Sequence, residues 1–402
     1  MAESRRKPKV AFVTPGTFTV PSDYSSSVER VVDEISKRMA EEADVYVFSK
    51  KSPGTRTYEK IAGVTHIRPI ASTRSAYRTA VLGWLQKLSP DLIQVENRPL
   101  MVSRVKRAVR KAEVWLSLHS VTFTDPDTIS RDRLRRALNM ADRVVVNSQY
   151  LREELSARNP YSREKILVNH LGTDVERFQS QWESEGMNER EAFKRELGYE
   201  GKRIVLFAGR LIPIKGVHHL LQVWPDVVRK FPEAVLLVIG SAFYGSNRIT
   251  PYVRKLHLMG NKMPRNVRFL SYVPYSEMPR WFQTADVVAV PSESKEAFGL
   301  VNVEAMASGA PVIASNSGGM KEIVRHGDNG YLVEQRMLPD GLRERIMELL
   351  EDDKLRRKLG VCGAETARTD FSWQRTAERQ LELYYRYTHI FGFGVTGVGT
   401  NA

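Results

Sequence analysis

Short β-branched runs alternate with amphipathic helical stretches through the first part of the chain, and after a polar interval the same rhythm starts again. Strand and helix in turn imply a parallel sheet covered on both faces, so the sequence predicts an α/β protein of two Rossmann-like domains. Size agrees: 402 residues, 42% hydrophobic and 27% charged, suffice for two full cores.

Taken in order, residues 9–14, 43–48, 92–96, 114–118 and 143–147 read as buried strands. Between the first two, Val28, Val31, Val32, Ile35 and Met39 recur at helical spacing and place a helix over 28–39. The polar stretch 172–201 holds the expected boundary, with a first domain over 1–180 and a second over 181–371. Residues 204–207, 234–239, 267–269, 287–290 and 311–314 are the strands of the second domain, with a helix over 220–231 among them. A cleft between the two sheets is the expected binding place. Beyond Phe371-Ser372-Trp373 a helical pattern with Leu381, Leu383, Tyr384 and Tyr387 closes the fold over 372–390, and the glycine-rich residues 391–402 read as a flexible tail.

The apolar runs, such as 234–239 and 287–290, fall far short of the roughly 20 residues that span a bilayer, so no transmembrane helix is expected. The basic start Arg5-Arg6-Lys7 leads into an apolar run too short for a signal peptide, and the single Cys362 cannot form an internal disulfide. A reducing, cytoplasmic setting is expected. The net charge of +14 is uneven: residues 1–172 hold 30 of the 61 Lys and Arg against 19 of the 47 Asp and Glu. Arg104, Lys106, Arg107, Arg110 and Lys111 crowd one segment, and Arg131, Arg133, Arg135 and Arg136 another. These blocks read either as solvated helix faces or as a surface for an anionic acceptor or a membrane. No nucleic acid is expected, because no recognition module or run of stacking aromatics accompanies the charge.

Gly392-Phe-Gly394-Val-Thr-Gly397 matches the dinucleotide fingerprint formally but lacks the strand before it and the helix after it. Asp125-Pro126-Asp127 spells a paired-aspartate metal motif, yet a proline between polar residues marks a turn or a helix start. His218 and His219 are adjacent, so on a helix they diverge by about 100 degrees and are not expected to share a metal. No metal cluster is expected.

Three places suit a phosphate. The turn after the first strand carries Gly16, which lets backbone approach a ligand closely. After strand 204–207 come Gly209-Arg210 and Lys215-Gly216, two cations at the carboxyl edge of the sheet, where both can converge on one diphosphate. After strand 287–290 the loop carries Glu296, and Phe298-Gly299-Leu300 opens a helix with Glu304 a couple of turns in. The helix start supplies free amides for a phosphate or sugar oxygen, and Glu304 can accept from two ribose hydroxyls. As a plain ion-pair partner Glu304 would sit oddly among Val301, Val303, Ala305 and Met306; an acid amid so much apolar surface needs a partner.

These motifs, with Ser317-Gly318-Gly319 to Glu322 and Gly327 to Gly330, resemble glycosyltransferase family 4 over nearly the whole chain. Asn97-Arg98-Pro99, Leu118-His119 and Ile239-Gly240-Ser241 with Gly245 look most similar to the spore-coat glycosyltransferases of endospore-forming bacteria. The resemblance implies the GT-B fold, two Rossmann-like domains facing across a cleft with a C-terminal helix crossing back to the first. It also implies a metal-independent, retaining hexosyltransferase. Such an enzyme moves a sugar from a nucleoside-diphosphate sugar, a UDP-sugar first, to a glycan, protein or lipid-linked acceptor. It works in the cytoplasm, peripheral to the membrane or in the spore coat, and needs no cofactor.

Carried onto matching positions, Arg210 and Lys215 hold the diphosphate, Glu296 contacts the transferred sugar and Glu304 holds the ribose. The amides of Phe298, Gly299 and Leu300 approach sugar and phosphate, with Gly16 and Gly209 close to the donor, and Tyr272 and Val273 line the base. His119 faces the donor sugar, and Asn97 and Arg98 read the acceptor. Glu296, Arg210, Lys215 and His119 form the implied catalytic set. Many members carry Gly-Gly before the first long helix, where this chain has Ser25-Ser26-Ser27. Either the serine hydroxyls donate to phosphate there, or the loop stands off and turnover weakens, which leaves a non-catalytic nucleotide-sugar-binding or structural coat protein as the alternative. A dinucleotide-dependent oxidoreductase needs a glycine fingerprint after an early strand, and none is present.

Overall fold

The computed structural model describes residues 6–23, 26–243, 248–271, 273–294 and 296–391. They gather into two compact units: residues up to His170 together with those from Gln374 onward, and Leu171–Trp373.

In the first unit the strands are β1 (Lys9–Val13), β2 (Asp44–Phe48), β3 (Tyr58–Ile61), β4 (Val64–Ile67), β5 (Leu92–Glu96), β6 (Glu113–Leu118), β7 (Arg143–Val146) and β8 (Ile166–Val168). They form one eight-stranded sheet in the order β3-β4-β2-β1-β5-β6-β7-β8. All five expected strands are there, and their buried Val, Ile and Leu runs explain why: a central parallel strand is covered on both faces. The sequence reading missed β3, β4 and β8. β3 is an antiparallel edge strand of mixed polarity, joined to β4 by Ala62-Gly63, both in the left-handed region that tight hairpins use.

The second unit contributes β9 (Arg203–Ala208), β10 (Ala234–Ile239), β11 (Val267–Leu270), β12 (Val287–Val290), β13 (Val312–Ser315) and β14 (Tyr331–Val333). Every pairing is parallel, in the order β11-β10-β9-β12-β13-β14. Val205, Phe207, Leu236, Val238 and Ile313 share a core with Leu220, Leu221 and Trp224 of the helix Val217–Lys230. In each unit the strand order reverses once, between β1 and β5 and between β9 and β12. At such switch points the outgoing loops part and leave room for a ligand.

The closing helix Trp373–Tyr387 packs from Gln374 onward with the first unit. Its buried Tyr384 meets Trp115 edge-on with 4.9 Å between ring centroids, and its hydroxyl donates to Gln94 Oε1 at 2.6 Å. Arg104 and Arg107 lie on the exposed face of the helix Pro99–Ala108, and Arg131, Arg133, Arg135 and Arg136 on that of Arg131–Met140, while Val102, Val105, Leu134 and Leu138 face inward. Asp125 begins a turn, its carbonyl accepting from the amides of Thr128 and Ile129 at 2.9 and 3.0 Å. Among the described residues no helix is long and apolar enough to cross a membrane. The expected tail beyond Phe391, with its formal fingerprint, lies outside the described residues, as do Ser25 and Gly245.

Candidate functional site

The loops leaving β9 and β12 are pressed together backbone to backbone. Gly216 has φ 71°, and a Cβ there would lie 1.9 Å from the Pro291 carbonyl oxygen, so no other residue fits. Beside it the Glu293 amide donates to the Ile214 carbonyl at 2.9 Å. This contact brings the Lys215 ammonium onto Glu296 Oε2, the same oxygen that accepts from the Ser292 hydroxyl at 3.2 Å. Glu296 is also held by its main chain: Gly319 donates its amide to the Glu296 carbonyl at 2.9 Å, and a Cβ on Gly318 would lie 2.0 Å from that oxygen. Burial pushes the Glu296 carboxyl up, but the charge and hydrogen bond of Lys215, the Ser292 hydroxyl and the charge of Arg210 outweigh it and hold the group below the usual carboxylate range.

Arg210 is exposed on a loop that β10 clamps. Gly209 and Leu211 donate to the carbonyls of Ile239 and Ser241 at 3.0 and 2.9 Å, and a Cβ on Gly240 would lie 1.9 Å from the Gly209 oxygen. After Glu296 the chain buries Phe298 against Phe371 and turns at Gly299, φ 98°, into the helix Leu300–Ala307. Glu304 is 5% exposed between the buried Val303 and Ala305. Sequence reasoning overlooked Asn302, fully buried two residues earlier with both side-chain polar atoms unpartnered among the described residues. Its signal was a polar residue between Val301 and Val303. Val273 lies just past β11, two strands from β9, and Tyr272 is outside the described residues.

The expected divergence of His218 and His219 is overturned. In the first turn of their helix both rings fold onto Glu293, each Nε2 lying 3.1 Å from Glu293 Oε1 with ring centroids 4.0 Å apart. Side-chain torsions, not the helical step alone, set where two long rings end. The three residues bring potential metal-ligand atoms within 4.8 Å of one another, and Tyr252 hydroxyl stands 2.9 Å from His218 Nδ1.

In the first unit, the parallel register sets Glu96 of β5 opposite Ser117 of β6, with His119 just past the end of β6. His119 Nε2 is 2.8 Å from Glu96 Oε2 and 3.0 Å from Ser117 Oγ, while Nδ1 has no partner among the described residues. The other Glu96 oxygen accepts from Gln94 Nε2 at 2.8 Å, and Gln94 Oε1 accepts from Tyr384. Burial and then the Glu96 charge push the Tyr384 hydroxyl far above its usual pKa, so it stays a donor. With Glu96 accepting from Nε2–H, the lone pair of the ring falls on Nδ1, which is buried. Asn97, with φ 51°, accepts the His119 amide on Oδ1 at 2.8 Å, so its side-chain oxygen is already engaged in holding His119. Arg98 lies over the Phe123 ring at 4.8 Å. Gly16, φ 71°, packs so tightly on Tyr77 that a Cβ would lie 2.4 Å from its ring. Ser26 gives its hydroxyl to the buried Glu29, whose carboxyl burial pushes up against the opposing pull of that bond and of Arg98.

Residues 28–177 match the pattern of Glycosyltransferase Family 4, and residues 188–365 that of Glycosyl transferases group 1. Spore coat protein SA of Bacillus subtilis is 34% identical over 376 residues, 94% of this chain and 99% of that protein. The chain belongs to glycosyltransferase family 4. Among solved structures, Anabaena Alr3699/HepE in complex with UDP-glucose is similar with a TM-score of 0.72 and 23% identity, covering 93% of this chain and 98% of that one. Sucrose-phosphate synthase from Thermosynechococcus elongatus is similar with a TM-score of 0.75 and 21% identity, covering 94% and 99%. The family 4 chain thus has the GT-B fold, with its two Rossmann-like units.

Proposed function

We propose that this family 4 member transfers a sugar from a UDP-sugar to a glycan, protein or lipid-linked acceptor, with retention and without a metal, as a cytoplasmic protein peripheral to the membrane or to a spore coat. The observation that carries the reading is the Lys215–Glu296 pair, set beside Arg210 and the start of the helix that holds Glu304. UDP-glucose bound to a GT-B neighbour of matching fold supports the choice of donor.

As the bond from the sugar to the diphosphate breaks, negative charge grows on the leaving phosphate, and Arg210, Lys215 and the amides after Phe298 stabilise it where it develops. A diphosphate draws the Lys215 ammonium away from Glu296, which frees the carboxylate to accept from sugar hydroxyls and orient the ring. Glu304 accepts from the ribose, and Val273 lines the base. The acceptor oxygen bonds to the anomeric carbon on the face the phosphate leaves, and its proton passes to the departing phosphate oxygen. His119 faces the donor sugar.

Wild type and Glu296→Ala are incubated with UDP-glucose, UDP-N-acetylglucosamine, GDP-mannose and ADP-glucose, with and without EDTA, and nucleotide release is followed by NMR. Release from a UDP-sugar that survives EDTA and disappears in Glu296→Ala is the expected result. Equal release by the variant contradicts the role of Glu296, and tight UDP binding without any release favours a binding or coat protein, the outcome to which the engagement of Ser26 by Glu29 would then point.

A further inference from the structure

At the carboxyl ends of β1, β2 and β4 the first unit holds a cavity of about 150 Å³ that shares Gly16 and Tyr77 with the residues described so far. Gly16 and Thr17 line it from the turn after β1, Lys50 from the loop after β2, and Thr73 and Arg74 from the start of the helix Arg74–Leu88. The loops are fastened side by side: Lys50 donates its amide to the Phe18 carbonyl at 3.2 Å, and the Thr19 hydroxyl donates to the Lys50 carbonyl at 2.8 Å. Tyr77 forms the floor, against which only a glycine fits at position 16. Three parallel strands therefore deliver their outgoing loops to one place, the edge at which α/β sheets bind ligands.

The charge on this cavity is one-sided. Lys50 and Arg74 are both exposed, and neither side chain has a hydrogen-bond or ion-pair partner among the described residues. Among the described residues no carboxylate lines the cavity, while Thr17, Ser72 and Thr73 offer hydroxyls. Thr73 caps the Ala76 amide at 3.1 Å, which leaves the earlier amides of that turn without an intrahelical acceptor. Close by, burial first, and then the charges of Arg74 and Arg78 against that of Glu29, push the Arg98 guanidinium below its usual pKa. Cations that stay unpaired beside a hollow with hydroxyl donors fit a tetrahedral oxyanion.

We propose that this cavity binds a phosphate group carried by the acceptor. The assignment to the acceptor rests on the transferase reading: the donor diphosphate has Arg210 and Lys215 in the other unit, so Lys50 and Arg74 serve a second anion. The same chemistry fits a soluble phosphorylated acceptor and a lipid-linked one.

The full chain is titrated with glycerol 3-phosphate, with phosphatidylcholine vesicles containing phosphatidic acid, and with UDP. Each titration is run on wild type, on Lys50→Glu/Arg74→Glu and on Arg104→Glu/Arg110→Glu, a control of equal charge change at exposed residues of the same unit. Loss of about tenfold or more in glycerol 3-phosphate affinity in the cavity variant alone is expected for a soluble acceptor. The same selective loss seen only with vesicles supports a lipid-borne phosphate. Equal loss in both variants, or none in either, overturns the proposal, as does a matching loss of UDP affinity in the cavity variant, which would give the cavity to the donor. A wild type that binds glycerol 3-phosphate through the cavity but no nucleoside diphosphate sinks the transferase reading and leaves the phosphate site standing.

Discussion

The second unit positions Lys215 and Glu296 by backbone, and the first positions His119 by side chains. At Gly216, Gly240 and Gly318 two backbone segments approach so closely that a Cβ would lie about 2 Å from a carbonyl oxygen, and the acid and the cation meet because those loops cannot move apart. At His119 the ring is held through Glu96, Gln94 and Tyr384, the last step bridging 290 residues of sequence. The first kind of site should fail when a glycine gains a methyl group. The second should fail when one member of the hydrogen-bonded chain changes its charge while keeping its shape.

Glu296→Ala is expected to have the largest effect, lowering single-turnover donor cleavage by about a hundredfold or more while leaving Lys215 unpaired. Gly216→Ala breaks the backbone contact itself. The added Cβ meets the Pro291 oxygen in a left-handed conformation, and urea unfolding should show a loss of about 3 kcal/mol or more together with weaker UDP binding. Unchanged stability would mean that the loops can separate and that the backbone is not what holds the pair. Glu96→Gln probes the other design: kcat should fall about tenfold with UDP affinity unchanged, because the imidazole loses the anion that fixes its tautomer. A fall in UDP affinity with kcat intact would instead make Glu96 a structural residue.

The smallest effect distinguishes the units by their response to acid. Burial, then the charge of Arg68, push His66 on β4 down to about 4 from an ordinary value of 6.5. Its folded pKa is depressed, so between those values the unfolded chain binds a proton that the fold refuses, and stability falls as pH drops through that window. His66→Gln should flatten that slope in urea titrations at stepped pH. Glu296, depressed below 4.5, holds its charge through most of the same window, and its contribution is lost only as pH falls through that lower value.

The difference between the units also explains what could be read from sequence. Glu296, Arg210 and Lys215 are legible because each lies a few residues past a strongly apolar strand, and glycines mark the close approaches. The central strands are legible for the same reason, as continuous apolar runs. Glu96, Gln94 and Tyr384 are not, since nothing local to Gln94 announces a hydroxyl from the closing helix. β3 escapes because an edge strand such as Tyr58–Ile61 is only half covered and carries polar residues. The joint approach of His218 and His219 to Glu293 escapes because it depends on ring torsions that helical spacing does not contain.

The most direct test of the central claim is calorimetric titration of wild type and Glu304→Ala with UDP, GDP and ADP. The account predicts selective binding of UDP, weakened about tenfold or more when the ribose loses its carboxylate. Binding of none of the three, or UDP binding that Glu304→Ala leaves untouched, would contradict it.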